Sequence, residues 1–252
     1  MKRFRFTGRI KYLLTVALLA IFTCHGSTQT TESPRSASLG LEQILERMQK
    51  HDQTQTEMLG SYQALRHYAI EYRGFSKTIT AKMDVEINYD ASSGKSFRIV
   101  SQSGSHMLCD KVLQRAIDSE KEASLNRNAT ALTRANYKFH LVGSETLNSR
   151  PAYILDVEPM TPSKFLYRGR IWVDGLDFAV ARMEVQPGKN PSFWISRTLI
   201  HHMNKETGGF WLPQQNRSET KVRIGGTAVM TIDYGTYRIV SRQPQPVASE
   251  VH

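Results

Sequence analysis

The chain has 252 residues and a mass of 28.7 kDa, with 40% hydrophobic, 22% charged and 9% aromatic residues, the makeup of one globular domain or at most two. That composition excludes a disordered or collagen-like chain, and two cysteines exclude a disulfide scaffold. The formal charge of +10 invites a nucleic-acid reading, but Lys2, Arg3, Arg5, Arg9 and Lys11 supply half of it before the first acid at Glu32, and no basic stripe follows.

The basic opening leads into the apolar run Tyr12–Phe22 and then into Thr23-Cys-His-Gly-Ser-Thr28, the three-part layout of a secretory signal peptide. A spanning helix needs roughly 20 apolar residues, and this run has eleven. Cleavage after Gly26 makes 1–26 the signal and predicts an exported, periplasmic protein. Cys24 admits a lipid anchor as a second reading, but Ile21-Phe22-Thr23 is a poor match to the small residues that precede an acylated cysteine. Once the signal is removed Cys109 stands alone, so the fold must hold by its core. Residues 27–38 read as a flexible leader, 39–240 as one domain, and the Pro-rich 241–252 as a disordered tail.

Within the domain, Leu41, Ile44, Leu45 and Met48 recur at helical spacing and predict a helix to about Lys50. Residues 62–73, 77–89 and 95–101 read as strands, with the turn-forming Asp90-Ala-Ser-Ser-Gly94 between the last two. Helical period returns from Met107 to about Asn126. Seven further strands are expected at about 135–146, 150–158, 164–173, 177–186, 192–203, 209–223 and 227–239, with Asp174-Gly175 the strongest hairpin signal. Connections this short allow only antiparallel neighbours. The predicted fold is therefore α+β: a curved antiparallel sheet of about ten strands that curls toward a barrel, with two amphipathic helices to cover its concave face.

Alternation places Tyr137, Phe139 and Leu141 on one face, opposes Tyr167, Ile171 and Val173 to Arg168 and Arg170, and groups Phe193, Ile195 and Leu199. With only two helices to cover the apolar face, the interior is either an ordinary filled core or, where the helices plug the opening instead, a hydrophobic cavity. Its candidate walls are Leu45 and Met48 from the first helix, Val112, Leu113, Ala116 and Ile117 from the second, and Tyr137, Phe139, Leu141, Tyr167, Ile171, Phe193 and Ile195 from the sheet.

Chemistry-bearing constellations point away from catalysis. Adjacent strand residues face opposite ways, so His201 and His202 cannot share a metal in regular geometry. Asp174 and Asp177 flank a hairpin, the Gly-Gly pairs at 208–209 and 225–226 sit in turns, and Ser103-Gly-Ser105 is not a nucleophile elbow. No catalytic residue, metal site or cofactor is assigned, and the expected protein is not an enzyme.

The order helix, three strands, helix, long meander over residues 39–240 resembles the LolA-like outer-membrane lipoprotein carriers, whose relatives include LolB and the lipid-sensing domain of RseB. Local likeness lies in Asn136-Tyr-Lys-Phe139, Arg150-Pro-Ala-Tyr-Ile-Leu155, Gly169-Arg-Ile-Trp-Val-Asp174, Pro191-Ser-Phe-Trp-Ile195 and Phe210-Trp-Leu-Pro213, with Arg182 on the strand after Val173-Asp174. The resemblance implies an unclosed β-barrel of about ten to eleven strands, with a hydrophobic cavity on its concave face and a helical lid. It also implies a monomeric carrier of lipoprotein acyl chains or another lipid, which works with an inner-membrane release complex and an outer-membrane acceptor and has no nucleic-acid partner. The second branch implies a periplasmic lipid sensor acting through a protein partner.

Overall fold

The computed structural model describes residues 39–223 and 225–242. The expected export signal, the leader and nearly all of the expected tail lie outside the described residues. Helix α1 (Leu41–Met58) comes first, followed by β1 (Leu59–Arg73), β2 (Thr78–Asp90) and β3 (Gly94–Gly104). A helical stretch follows, made of α2 (His106–Leu108), a π turn (Cys109–Leu113) and α3 (Gln114–Leu125), then the single turn α4 (Arg127–Thr130). The meander β4 (Tyr137–Leu147), β5 (Arg150–Pro159), β6 (Tyr167–Asp174), β7 (Val180–Pro187), β8 (Ile195–Thr207), β9 (Phe210–Val222) and β10 (Thr227–Tyr234) ends in β11 (Arg238–Ser241).

All eleven strands form one sheet in the order β3-β2-β1-β10-β9-β8-β7-β6-β5-β4, so β3 and β4 are its two free edges and the barrel is unclosed. The α+β half-barrel expected from the sequence is the fold observed. Every neighbour but one is a hairpin partner, as short connections require. The exception brings the chain's ends together: β10 pairs with Arg66–Arg73 of β1, and β11 pairs with Leu59–Gln63 of the same strand. Between them the Gly235 amide donates to the Leu65 carbonyl at 2.9 Å, and a Cβ on Gly235 would come within 2.7 Å of that oxygen. Only glycine lets the backbone pass so near.

The concave face is covered in two halves. Helix α1 lays Ile44, Leu45 and Met48 over Tyr137, Phe139, Leu155, Val157, Ile171, Val173 and Val185. The other helical stretch lays Leu108, Cys109, Leu113 and Ile117 over Tyr68, Ile70, Met83, Val85, Ile87 and Ile232. Each helix thus buries one apolar stripe on its own half of the sheet.

Three local expectations are corrected. Helix α1 runs past Lys50 to Met58, through the polar stretch His51-Asp-Gln-Thr-Gln-Thr-Glu57, because that half faces a cavity and solvent and carries no apolar stripe. The Asp174-Gly175 turn does join a hairpin, but its second strand starts later than the expected 177: β6 stops at Asp174 and β7 starts at Val180. The loop between them is held by Asp174, whose Oδ1 accepts the amides of Leu176 and Asp177 at 2.9 and 2.8 Å. Finally, β8 starts at Ile195 rather than 192 and carries a bulge between Ile195 and Arg197, which inverts the alternation beyond it. Leu199 therefore pairs with Glu219 on the convex face, while Thr198 and Ile200 turn inward.

Candidate functional site: a helix-covered cavity beside a buried ionic seam

A cavity of about 560 Å³ lies under the C-terminal half of α1. Met48, Leu132, Phe178, Val180, Met183 and Trp211 supply its apolar wall, and Gln49, His51, Asp52, Gln55, Asn204 and His202 its polar one. The volume is within the roughly 300–1,000 Å³ of small-molecule sites. Above it, α1 is held by a clasp: the Gln55 side chain donates from Nε2 to the Trp211 carbonyl at 3.2 Å and accepts the Trp211 amide at Oε1 at 2.8 Å. The Trp211 indole in turn donates to Asp177 at 3.0 Å.

The acids at the hairpin have a structural role. Arg150 grips Asp174 with Nε and Nη2 at 2.5 and 2.7 Å and reaches Asp177 at 2.7 Å. Burial would raise the Asp174 carboxyl, but Arg150 and the loop amides hold it below its ordinary value. His201 and His202 do face opposite ways: His201 lies on the outside 3.6 Å from Glu184, and His202 points into the barrel. Burial keeps the His202 imidazole below its ordinary value, and its partners suit the neutral ring. Nε2 bonds Asn204 at 2.9 Å and Nδ1 bonds the Asn216 amide at 3.3 Å.

Beyond His202 the interior is ionic. The His202 ring meets Tyr234 edge-to-face at 6.5 Å, and the Arg66 guanidinium sits 4.5 Å over the other end of this contact, the Tyr234 ring. Arg66 is 1% exposed, at an inward position of β1 between Ala64 and Tyr68. It makes a two-pronged bond to Glu120 of α3, at 2.6 and 3.2 Å, and Lys95 of β3 joins the same carboxylate at 2.8 Å. Burial pushes the Glu120 carboxyl up, but Lys95 and Arg66 outweigh it and hold the group at about 2. Burial also raises the hydroxyl of Tyr234. The rings that line this seam, Tyr68, Phe97 and Tyr234, belong to the half covered by α2 and α3.

The cavity residues expected from the sequence are distributed as follows. Leu45, Met48, Tyr137, Phe139, Tyr167 and Ile171 gather in the half covered by α1, and Met48 faces the cavity itself. The Tyr137 hydroxyl accepts the Tyr167 amide at 3.1 Å, and burial raises it to about 12. Val112, Leu113 and Ile117 pack in the other half, with Ala116 half-buried beside them, and Ile195 is half-buried at the start of β8. Two positions are exposed instead. Leu141 pairs with Leu155 on the concave side, but on the free edge and next to a bulge it is 38% exposed. Phe193 falls in the β7–β8 connection and is 74% exposed.

Sequence reasoning missed Arg66, Glu120, Lys95 and Gln55. Arg66 had a signal, an inward-phase cation in the apolar alternation of β1; the others lie on polar helix faces and at a strand start where charge is ordinary.

An unclosed half-barrel with a helix-covered interior cavity is an architecture that can enclose a ligand. No protein-family model matches the chain, and no curated protein matches it. Among solved structures it is similar to a DUF1329-family protein from Desulfovibrio piger, with 14% identity over 79% of this chain and 92% of the other and a TM-score of 0.40. It is also similar to a domain described as an outer membrane lipoprotein-sorting protein from Vibrio parahaemolyticus, with 11% identity over 84% and 94% and a TM-score of 0.39. A third is a LolA-superfamily protein from Nitrosomonas europaea, with 13% identity over 82% and 96% and a TM-score of 0.34. Likeness at this level transfers neither ligand nor partner, so the functional reading starts from the cavity.

Proposed function

We propose that this chain is an exported, periplasmic carrier that binds the acyl chains of a lipoprotein or another lipid under α1 and hands them on for sorting to the outer membrane. The observation that carries the reading is the 560 Å³ cavity with Met48, Phe178, Val180, Met183 and Trp211 in its wall, roofed by a helix half that buries almost nothing of its own. An acyl chain gains about 0.8 kcal/mol per buried CH₂, enough to drive uptake once several methylenes are covered. The Gln55 clasp and the three buried residues of α1 are what an entering chain must loosen, and two neutral hydrogen bonds of about 0.5–1.5 kcal/mol each make a light latch. A carrier needs a light latch because it must release. Delivery to an outer-membrane acceptor after loading at an inner-membrane complex is part of the same reading.

The test is uptake of a fluorescent fatty-acyl probe and mass spectrometry of lipid extracted from protein purified from a bacterial periplasm. Bound acyl species and saturable uptake are expected, with uptake cut by Val180→Trp or Met183→Trp, which fill the cavity. Protein that carries no lipid and takes up no probe, while melting cooperatively, overturns the carrier.

A further inference from the structure

Two connections at one end of the barrel put apolar rings into solvent, outside both apolar halves. The β1–β2 connection presents Phe75, 91% exposed, and the β7–β8 connection presents Phe193 and Trp194, 74% and 54% exposed. The β9–β10 turn joins them. Gly225, at φ +105°, lies so close to Phe75 that a Cβ would come within 2.0 Å of its ring, and its carbonyl accepts the Tyr72 hydroxyl at 2.9 Å. The Arg223 amide donates to the Trp194 carbonyl at 2.8 Å, and its guanidinium lies 5.1 Å from the Phe193 ring centre. Phe193 and Trp194 meet edge-to-face at 5.6 Å. The rings and turns form one continuous rim.

Charge decides what covers it. Residues 74–77, 187–197 and 221–226 carry Lys77, Lys189, Arg197, Lys221 and Arg223 and not one Asp or Glu. All five cations are exposed, and among the described residues none joins an ion pair. Aromatic rings favour the boundary between hydrocarbon and water, and lysine and arginine are drawn to anionic headgroups. A bilayer accepts protruding loop tips without a matching shape, whereas a protein partner needs one. No helix among the described residues is long and apolar enough to cross a membrane. We propose that the rim docks on an anionic phospholipid bilayer, with Phe75, Phe193 and Trp194 entering the headgroup layer and the five cations facing its negative charge.

Because the apolar run 12–22 of the full chain has its own affinity for lipid, the readout must be local to Trp194. The full chain is mixed with vesicles of brominated phosphatidylcholine, with and without phosphatidylglycerol, and tryptophan emission is compared with that of Trp194→Phe. Anionic vesicles are expected to shift the emission to shorter wavelength and quench it, an effect lost in Trp194→Phe. Lys77→Glu/Lys189→Glu/Arg223→Glu should need about tenfold more lipid or greater. Phe75→Ser/Phe193→Ser, at exposed positions, should weaken binding while melting like the parent. Absence of Trp194-dependent quenching overturns the proposal, and so does equal quenching on neutral vesicles that charge reversal leaves unmoved. A Trp194 shift that grows with protein concentration and not with lipid also overturns it, in favour of a second copy of this chain.

Discussion

Arg66 is the residue on which the interior turns. A cation 1% exposed is tolerable only while its counter-charge is held beside it, and Glu120, shared with Lys95, is that counter-charge. The two partners are not equivalent. Arg66→Met leaves Glu120 with Lys95 in a spot that is 26% exposed, whereas Glu120→Gln leaves Arg66 and Lys95 as like charges around a neutral amide. Urea unfolding should therefore show a loss of about 3–5 kcal/mol for Glu120→Gln and a smaller one for Arg66→Met. The double variant should recover part of the Glu120→Gln loss; a double loss equal to the sum of the singles would refute the coupling. The same pair sets an acid limit. Glu120 is held at about 2 against an ordinary 4.5, and a depressed carboxyl stabilises above its unfolded value and stops doing so as pH falls through its folded one. The Glu120 contribution should be constant above about pH 4.5 and be lost as pH falls from 4.5 toward 2, read as the difference in urea midpoints between the parent and Glu120→Gln across that range.

At the scale of elements, α1 is two helices in one. Its first half is fixed by Ile44, Leu45 and Met48; its second half lacks buried residues and is tied by Gln55 to the Trp211 backbone. Segments with few buried contacts open at low free-energy cost. Amide hydrogen exchange should thus be faster over residues 50–58 than over 43–48. Gln55→Ala should speed exchange in 50–58 by roughly tenfold, the loss of one to two hydrogen bonds, with little change in melting temperature. Unchanged exchange there would remove the clasp from the lid argument. This half of the helix was not legible in the sequence for a plain reason: periodicity reports burial, and a roof over a cavity buries nothing. The bulges beside Leu141 and after Ile195 escaped for a related one, since one extra residue inverts the alternation while leaving composition untouched.

For the whole molecule, the half-barrel was readable because hairpin connections leave antiparallel neighbours no alternative, and turn residues such as Asp90-Ala-Ser-Ser-Gly94 mark where strands reverse. Nothing local marks the one long-range join, Arg66–Arg73 of β1 with β10, because a sheet edge has no sequence code for a partner more than a hundred residues away. That join carries Arg66 at its first pair, opposite Tyr234, and from there the ionic seam crosses to Glu120 of α3 and Lys95 of β3, inside the half covered by α2 and α3. The interior is therefore two apolar halves, one of which holds the ionic seam, and the cavity belongs to the half under α1. A ligand entering there should act on that half alone. On adding a fatty acid, amide exchange should slow in β7, β8 and β9 around Met183, His202 and Trp211 and change in the second half of α1, while β2 and α3 stay as they were. Stabilisation by mass action should raise the melting temperature with ligand concentration. If protection instead spreads equally through β2 and α3, the two halves do not respond separately, and the ligand is reorganising the whole interior.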